Sequence, residues 1–280
     1  MLFRSRHPSR SGYPLVRGVV RPSHALAFAL AQIPLALALT AWLNGGPWSY
    51  AALAVAFAAG AIYDVWGKRT AFPPLTDAAQ GLGWAAFALY GAAVAQAPPT
   101  RLTWALAAYV VVYIVLVNGV HGAMRDLASD SAAGVRTTAL LLGARPAPGG
   151  WSVSRRLIGY AAALQCLLAA LPLWALLAND FGYPPATWAA VLAATVAIQC
   201  ACAAATALML RPARRLAIAA PVMSYIILSL IGLIVLFGPY LGPAARLAVL
   251  AAYFGPLLIH DTLYKMLGRL WRGRVAAGSQ

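Results

Sequence analysis

The chain is built of long apolar stretches separated by short polar joints. Uncharged runs of about 20 mostly apolar residues are long enough to cross a hydrocarbon layer as a helix rising about 1.5 Å per residue. Eight such runs stand in the sequence, approximately His24 to Leu43, Gly45 to Tyr63, Ala78 to Gln96, Leu102 to Val120, Leu157 to Ala178, Ala186 to Leu210, Ala217 to Phe237 and Leu247 to Leu263. The last is the weakest, because the charge on Asp261 cuts it short. Turn signals such as Asn44-Gly45-Gly46-Pro47, Ala97-Pro98-Pro99, Tyr183-Pro184-Pro185 and Gly238-Pro239 separate neighbours and predict hairpin connections. The pattern predicts an all-α fold, a polytopic membrane bundle of about eight transmembrane helices. A basic segment at 1–23 precedes the membrane domain at 24–264, whose longest loop is 121–156, and a basic tail follows at 265–280.

Composition agrees with a membrane solvent. At 62% hydrophobic and 10% charged residues, with a mean hydropathy of +0.75, the chain is excluded from the soluble globular class. Its three cysteines, Cys166, Cys200 and Cys202, lie inside apolar runs, which excludes a disulfide framework or a structural zinc site. The formal net charge of +15 reads as topology. Of the 21 basic residues, only Arg101 and Arg246 fall on one face of the eight-span arrangement. Lys and Arg accumulate on the cytoplasmic side, so the crowded face is expected to be cytoplasmic, with both termini there, in a plasma-membrane protein. A nucleic-acid partner is not expected, because so apolar a chain offers no soluble basic face.

The acidic residues narrow the chemistry. There is no glutamate, and the six aspartates are Asp64, Asp77, Asp126, Asp130, Asp180 and Asp261. All but Asp180 fall on the basic side. One end of the bundle therefore offers carboxylates for a hard cation together with arginine and lysine for a polyanion. The loop at 121–156 places Asp126 and Asp130 four residues apart, a spacing that brings their Cβ atoms to about 5–6 Å on one helical face. Such a pair suits Mg²⁺, which binds through one or two carboxylates plus substrate phosphates. The ordinary alternative is a solvated pair balanced by Arg125 and Arg136.

The longer string Asp126, Asp130, Gly134, Arg136, Thr137, Thr138 and Gly143 resembles the second aspartate-rich motif of the UbiA family of intramembrane prenyltransferases. Two further anchors stand in the same order as in that family. Residues Gly12-Tyr13-Pro14-Leu15-Val16-Arg17-Gly18-Val19-Val20 are similar to its RPLxxGxV segment, with tyrosine in the place of arginine. Tyr63-Asp64 with Lys68-Arg69 are similar to its tyrosine and basic pair, and Pro73 to Asp77 with Gln80-Gly81-Leu82-Gly83 lead into the next helix. The resemblance covers about residues 6 to 240.

It implies Mg²⁺-dependent transfer of a prenyl group from an allylic prenyl diphosphate to a hydrophobic acceptor, aromatic by expectation, within the membrane. Asp126 and Asp130 are implied as metal ligands. Lys68, Arg69 and Arg136 are implied for the diphosphate oxygens, with Arg125 as a further candidate. Asn118 and His121 are candidates to touch acceptor or diphosphate, His121 also as a proton acceptor. Because aromatic faces attract cations, Tyr63, Trp84 and Tyr113 are candidates to line the prenyl chain, the alternative being helix packing. Asp77 has three readings: a helix N-terminal carboxylate, a residue that orients a basic group, or a residue that helps bind metal.

The chain departs from the family pattern at its start. The family carries two earlier helices and a first motif of the form NDxxDxxxD, and residue 1 stands just after that point, with Arg4, Arg6 and Arg10 close to its end. The expectation is that the reading frame begins upstream of Met1 or that a second subunit supplies the missing part. An inactive or partner-dependent homologue and, further off, a small-molecule transporter are the alternative functions.

Overall fold

The computed structural model describes residues 18, 20–67, 69–211, 219–255 and 259. Lys68, His260, Asp261, Arg4, Arg6, Arg10, most of the segment 12–20 and the tail 265–280 lie outside the described residues. The chain divides into two compact units on either side of Ser229 and Leu230.

The first unit holds the long helices α1 (Pro22–Trp42), α2 (Pro47–Trp66), α3 (Pro73–Val94), α4 (Arg101–Leu116), α8 (Arg155–Leu177) and α9 (Pro185–Leu210), with the first part of α10 (Ala219–Phe237). Between α4 and α8 run a π-helical turn, Val117–Gly122, the short helices α5 (Ala123–Arg125), α6 (Leu127–Ala132) and α7 (Thr138–Leu141), and a hairpin of β1 (Arg145–Ala147) with β2 (Gly150–Ser152). The second unit holds the rest of α10, a 3-10 turn at Gly238–Tyr240 and the short apolar helix α11 (Pro243–Gly255).

Local chemistry sets these boundaries. Proline opens α1, α2, α3 and α9, where its missing N–H would have had no helical partner. Thr100 caps α4 in a reciprocal capping box with Thr103, and the Ser154 hydroxyl accepts from the Leu157 N–H to cap α8.

Six helical segments among the described residues are long and apolar enough to cross a membrane: Pro22–Trp42, Pro47–Trp66, Arg101–Arg125, Arg155–Leu177, Pro185–Leu210 and Ala220–Tyr240. The predicted third run also forms a helix, the 22-residue α3, but is not one of the six. Thr76, Asp77, Gln80 and its glycines dilute its apolar character. The predicted eighth run is represented by α11, shorter than a span, and its later residues lie outside the described ones. The β-hairpin, with three residues in each strand, leaves the all-α class unchanged.

Alternation of the helices is fixed by contacts at the end that carries Arg101. The Gln96 side chain donates to the Asn44 carbonyl at 3.5 Å, and Arg101 lies 3.4 Å from Asp180. Arg101 also sits over the Trp174 ring, 4.9 Å from its centroid. The lone aspartate expected on the sparse face thus pairs with one of its two arginines.

In lipid the apolar effect does little to hold helices together, so close backbone approach and polar contacts take its place. Gly81 faces α4, where an added Cβ would meet the Val111 carbonyl oxygen at 2.9 Å; Gly83 faces α2, where it would meet Ala59 Cβ at 3.0 Å. Farther along, α8 and α9 present buried Gln165 and Gln199, joined at 3.3 Å, and Cys202 of α9 contacts Ser229 at 3.7 Å.

Two outcomes follow. Gly81→Leu forces α3 and α4 apart and is expected to cost about 1–3 kcal/mol of stability, read as a lowered thermal midpoint in detergent. Gly91→Leu, where an added Cβ meets nothing, should leave the midpoint unchanged. In a variant with the native cysteines replaced, an impermeant thiol reagent should label exposed Asn179→Cys from outside the cell and exposed Ser131→Cys only after permeabilisation. The reverse pattern would invert the topology.

Candidate functional site

The site grows out of the break between α4 and α6. An α-helix keeps residues three apart on neighbouring faces, whereas a π-helical turn widens the ring and rotates them apart. Here the turn carries Asn118 and His121 and sends them different ways. The Asn118 side-chain nitrogen donates to Gln80 Oε1 of α3 and lies at the edge of an open cleft. His121 is only 1% exposed and points into the bundle, its Nε2 3.1 Å from the Thr206 hydroxyl and its ring edge-on to Tyr225 at 4.2 Å.

The helix then breaks at Asp126, whose φ of −95° and ψ of 7° leave the helical region. Asp126 becomes the first residue outside α6. The Asp130 N–H donates to its carbonyl at 2.9 Å, so the four-residue spacing of the carboxylates survives the kink. Two short helices, α5 and α6, thus meet at Asp126 in place of one helix running through both carboxylates. Gly134, at φ +63°, turns the chain back after α6, and the Val135 N–H returns to the Asp130 carbonyl at 3.1 Å.

The cleft formed around this break is about 730 Å³ and open to solvent. Tyr63 and Gly67 come from the end of α2; Pro73, Asp77 and Gln80 come from the start of α3. Asn118, Gly122, Ala123, Arg125, Asp126, Asp130, Thr137 and Thr138 complete the wall. Asp130 is buried, while Asp126 is partly exposed and gripped by Arg125, with Nε to Oδ1 at 3.1 Å and Nη2 to Oδ2 at 3.2 Å. Asp77 is buried and accepts from the Thr138 hydroxyl. Gly119 leaves room for that carboxylate, since an added Cβ would stand 2.9 Å from Asp77 Oδ2. Asp77 and Thr138 together fasten the threonine turn to α3.

The structure therefore brings together Tyr63, Asn118, Arg125, Asp126 and Asp130 of the sequence candidates. Arg69 and Arg136 are exposed in their turns and do not line the cleft; Lys68 lies outside the described residues. Neither His121 nor Tyr113 lines it, Tyr113 being stacked between Tyr109 at 6.3 Å and Tyr225 at 6.1 Å. The parts that sequence reasoning did not assign are Gln80 and Thr138 as partners of Asn118 and Asp77. Those pairs are separated by 38 and 61 residues, so no local spacing could have joined them.

Carboxylates offer oxygen donors of the kind a hard divalent cation takes. Among the described residues no group of three or more His, Cys, Asp or Glu is placed to hold a metal. The protein's share of such a site would be the Asp126 and Asp130 pair, which fits Mg²⁺ because that ion keeps waters and substrate phosphates for its remaining positions.

Comparison with curated proteins finds no match, and comparison with solved structures finds none either. A family model does match, over residues 5–207 of 280, and covers α1 to most of α9 with the whole cleft. The chain belongs to the UbiA prenyltransferase family.

Proposed function

We propose that the chain transfers a prenyl group from an allylic diphosphate to an acceptor of aromatic character, with Mg²⁺, at the cytoplasmic mouth of a plasma-membrane helical bundle. The observation that carries this reading is the cleft in which three carboxylates, an arginine and two amides converge at the ends of apolar helices. A polyanionic head and an apolar tail are served by such a boundary and by few other places in a membrane protein.

The reaction breaks the allylic C–O bond, and the diphosphate leaves with the electron pair. A bond then forms between the allylic carbon and the acceptor, which gives up a proton to the departed diphosphate. Asp126 and Asp130 would hold Mg²⁺, which when bound would supply charge neutralisation for the leaving diphosphate. Arg125 already spans both Asp126 oxygens in the manner of a bidentate clamp and lies in the cleft wall, where it can donate to diphosphate oxygens. Because Gln80 accepts from Asn118 through its oxygen, its side-chain nitrogen stays available to donate into the cleft. Asp77, held by Thr138, keeps the turn after Asp130 against α3 and so fixes the depth of the carboxylate pair. The apolar bundle beneath keeps water from an allylic cation. His121 is buried behind the turn and is not assigned the acceptor's proton.

Asp126→Asn and Asp130→Asn conserve volume and remove charge. Each is expected to abolish Mg²⁺-dependent diphosphate release from a labelled allylic diphosphate while leaving the elution profile and thermal midpoint of the purified protein close to wild type. Release that persists in the double variant would mean the pair is a surface feature. Geometry also ranks the arginines. Arg125→Ala should weaken Mg²⁺-dependent pyrophosphate binding by tenfold or more, about 1.4 kcal/mol, and Arg136→Ala by clearly less. Equal losses in a titration of the two variants would contradict the cleft as drawn.

A further inference from the structure

Helix α1 is fastened to the bundle at one end. Of its 21 residues Thr40 alone is buried. The Thr40 hydroxyl lies 3.0 Å from the Tyr90 hydroxyl of α3, and an added Cβ at Gly45 in the following turn would meet the Thr40 side chain. From Pro22 to Leu39 every residue is exposed or half-buried. Most of that surface suits lipid tails, since Leu26, Phe28, Leu30, Leu35 and Leu37 supply it.

One residue does not suit them. Gln32 stands ten residues from Pro22 and ten from Trp42. At about 1.5 Å per residue, about 15 Å of helix extends to either side, which puts the amide at the middle of a hydrocarbon layer about 30 Å thick. It is exposed, and no hydrogen bond joins its side chain to another described residue. An amide without a partner is costly in hydrocarbon, where no water can serve it. The chain treats its other described glutamines differently. Gln80 accepts from Asn118, Gln96 donates to the Asn44 carbonyl, and Gln165 donates to Gln199 inside the bundle. The amide that lacks a partner is on the helix that has an uncovered side. Ala25, Ala29 and Ala36 share its face at helical spacing, and such small side chains let a second backbone come close.

We propose that this face of α1 is an interface between two copies of the chain, closed at the bilayer midplane by reciprocal hydrogen bonds between Gln32 and Gln32 of the partner subunit. Copies of one chain insert with the same orientation, so a closed pair has its two-fold axis along the membrane normal. Such an axis sets a residue beside its own copy at the same depth. Most polar side chains fail there, because a carboxylate or a guanidinium repels its like. An amide is complementary to itself, each nitrogen donating to the other's oxygen. An unrelated helix would need a matching polar group at the same depth, whereas a second copy brings one by symmetry. The pairing is independent of the proposed function: α1 contributes no residue to the ionic cleft.

Cross-linking in native vesicles tests the face and the amide separately. The full chain, with its three native cysteines replaced, carries one new cysteine, at Ala29, at Ala36 or at Leu30 on the opposite side of α1, and is oxidised and run on a non-reducing gel. Ala29→Cys and Ala36→Cys should give a product of twice the 29.3 kDa chain, and Leu30→Cys much less of it. Adding Gln32→Leu should lower the yield about threefold or more, and Gln32→Asn, which keeps an amide, should lower it less. The leucine makes α1 more apolar, so a lower yield would not reflect failed insertion. Equal yields from Ala29→Cys and Leu30→Cys, or a yield that Gln32→Leu leaves unchanged, overturn the interface. A product of any other mass means a different partner and overturns it too. If the cysteine-free parent does not insert, native mass spectrometry of the wild-type chain released from mild detergent decides. A dimer that becomes monomeric in Gln32→Leu supports the interface; a monomeric wild type, or a dimer that Gln32→Leu leaves intact, overturns it.

Discussion

A charged side chain in the hydrocarbon layer costs several kcal/mol, and the placement of every described ionisable carboxylate and arginine in this chain follows from that cost. Arg21, Arg101, Arg155, Arg156 and Arg246 stand at or near helix starts, Asp64 and Arg125 stand near helix ends, and Arg69, Asp126, Asp130, Arg136, Arg145, Asp180 and Arg211 lie in or beside connections. Asp77, five residues into α3, reaches deepest along its helix, and it is buried against Thr138. Chemistry that needs a cation and a polyanion must therefore be assembled from helix ends. The break after α4 gathers those ends at one place, because the turns at α2–α3 and at 121–138 meet there.

This constraint explains which features were legible. Long apolar runs mark helices whatever their partners, so the long helices α1 to α4 and α8 to α10 could be located by composition, and the i, i+4 spacing of Asp126 and Asp130 survives because a backbone hydrogen bond holds it through the kink. Facing is harder. Asn118 and His121 look equivalent in sequence, being three apart on one helix, but a π-helical turn separates them, and nothing in Val117–Gly122 advertises that turn except two glycines. The arginines were hard to place for a related reason. Positive charge is enriched throughout the basic face, so membership of that face says little about which guanidinium enters the cleft, and Arg69 and Arg136 turn out to be exposed beside it.

Polar groups that lie within the spans have a different role. Gln165, Gln199, Cys202, Thr206, Tyr225 and Ser229 are all buried, and they interlock α8, α9 and the first part of α10. In water an apolar seam would hold such helices together; among lipid tails it gives no preference for helix over lipid, and hydrogen bonds and close packing decide. His121 joins this seam through Thr206 and Tyr225. Its burial is thus accounted for by assembly, and it anchors the inner side of the same turn whose outer side presents Asn118.

The turn consequently links two environments with opposite demands. On its inner side the contacts are between buried groups, which makes them stiff, since breaking any of them leaves a polar atom in an apolar medium. On its outer side the cleft is open and charged, and under the proposed function its groups have to bind a metal and a diphosphate and then release them. Stiffness behind supports exchange in front: with His121 held, Asn118 keeps its line to Gln80, and Asp126 and Asp130 keep their spacing whether or not Arg125 remains on Asp126. A plain α-helix would place residues 118 and 121 on neighbouring faces and would have to choose one environment for both. The π-helical turn removes that choice, which is a physical reason for the chain to leave regular helix at the point where the bundle meets its ionic mouth.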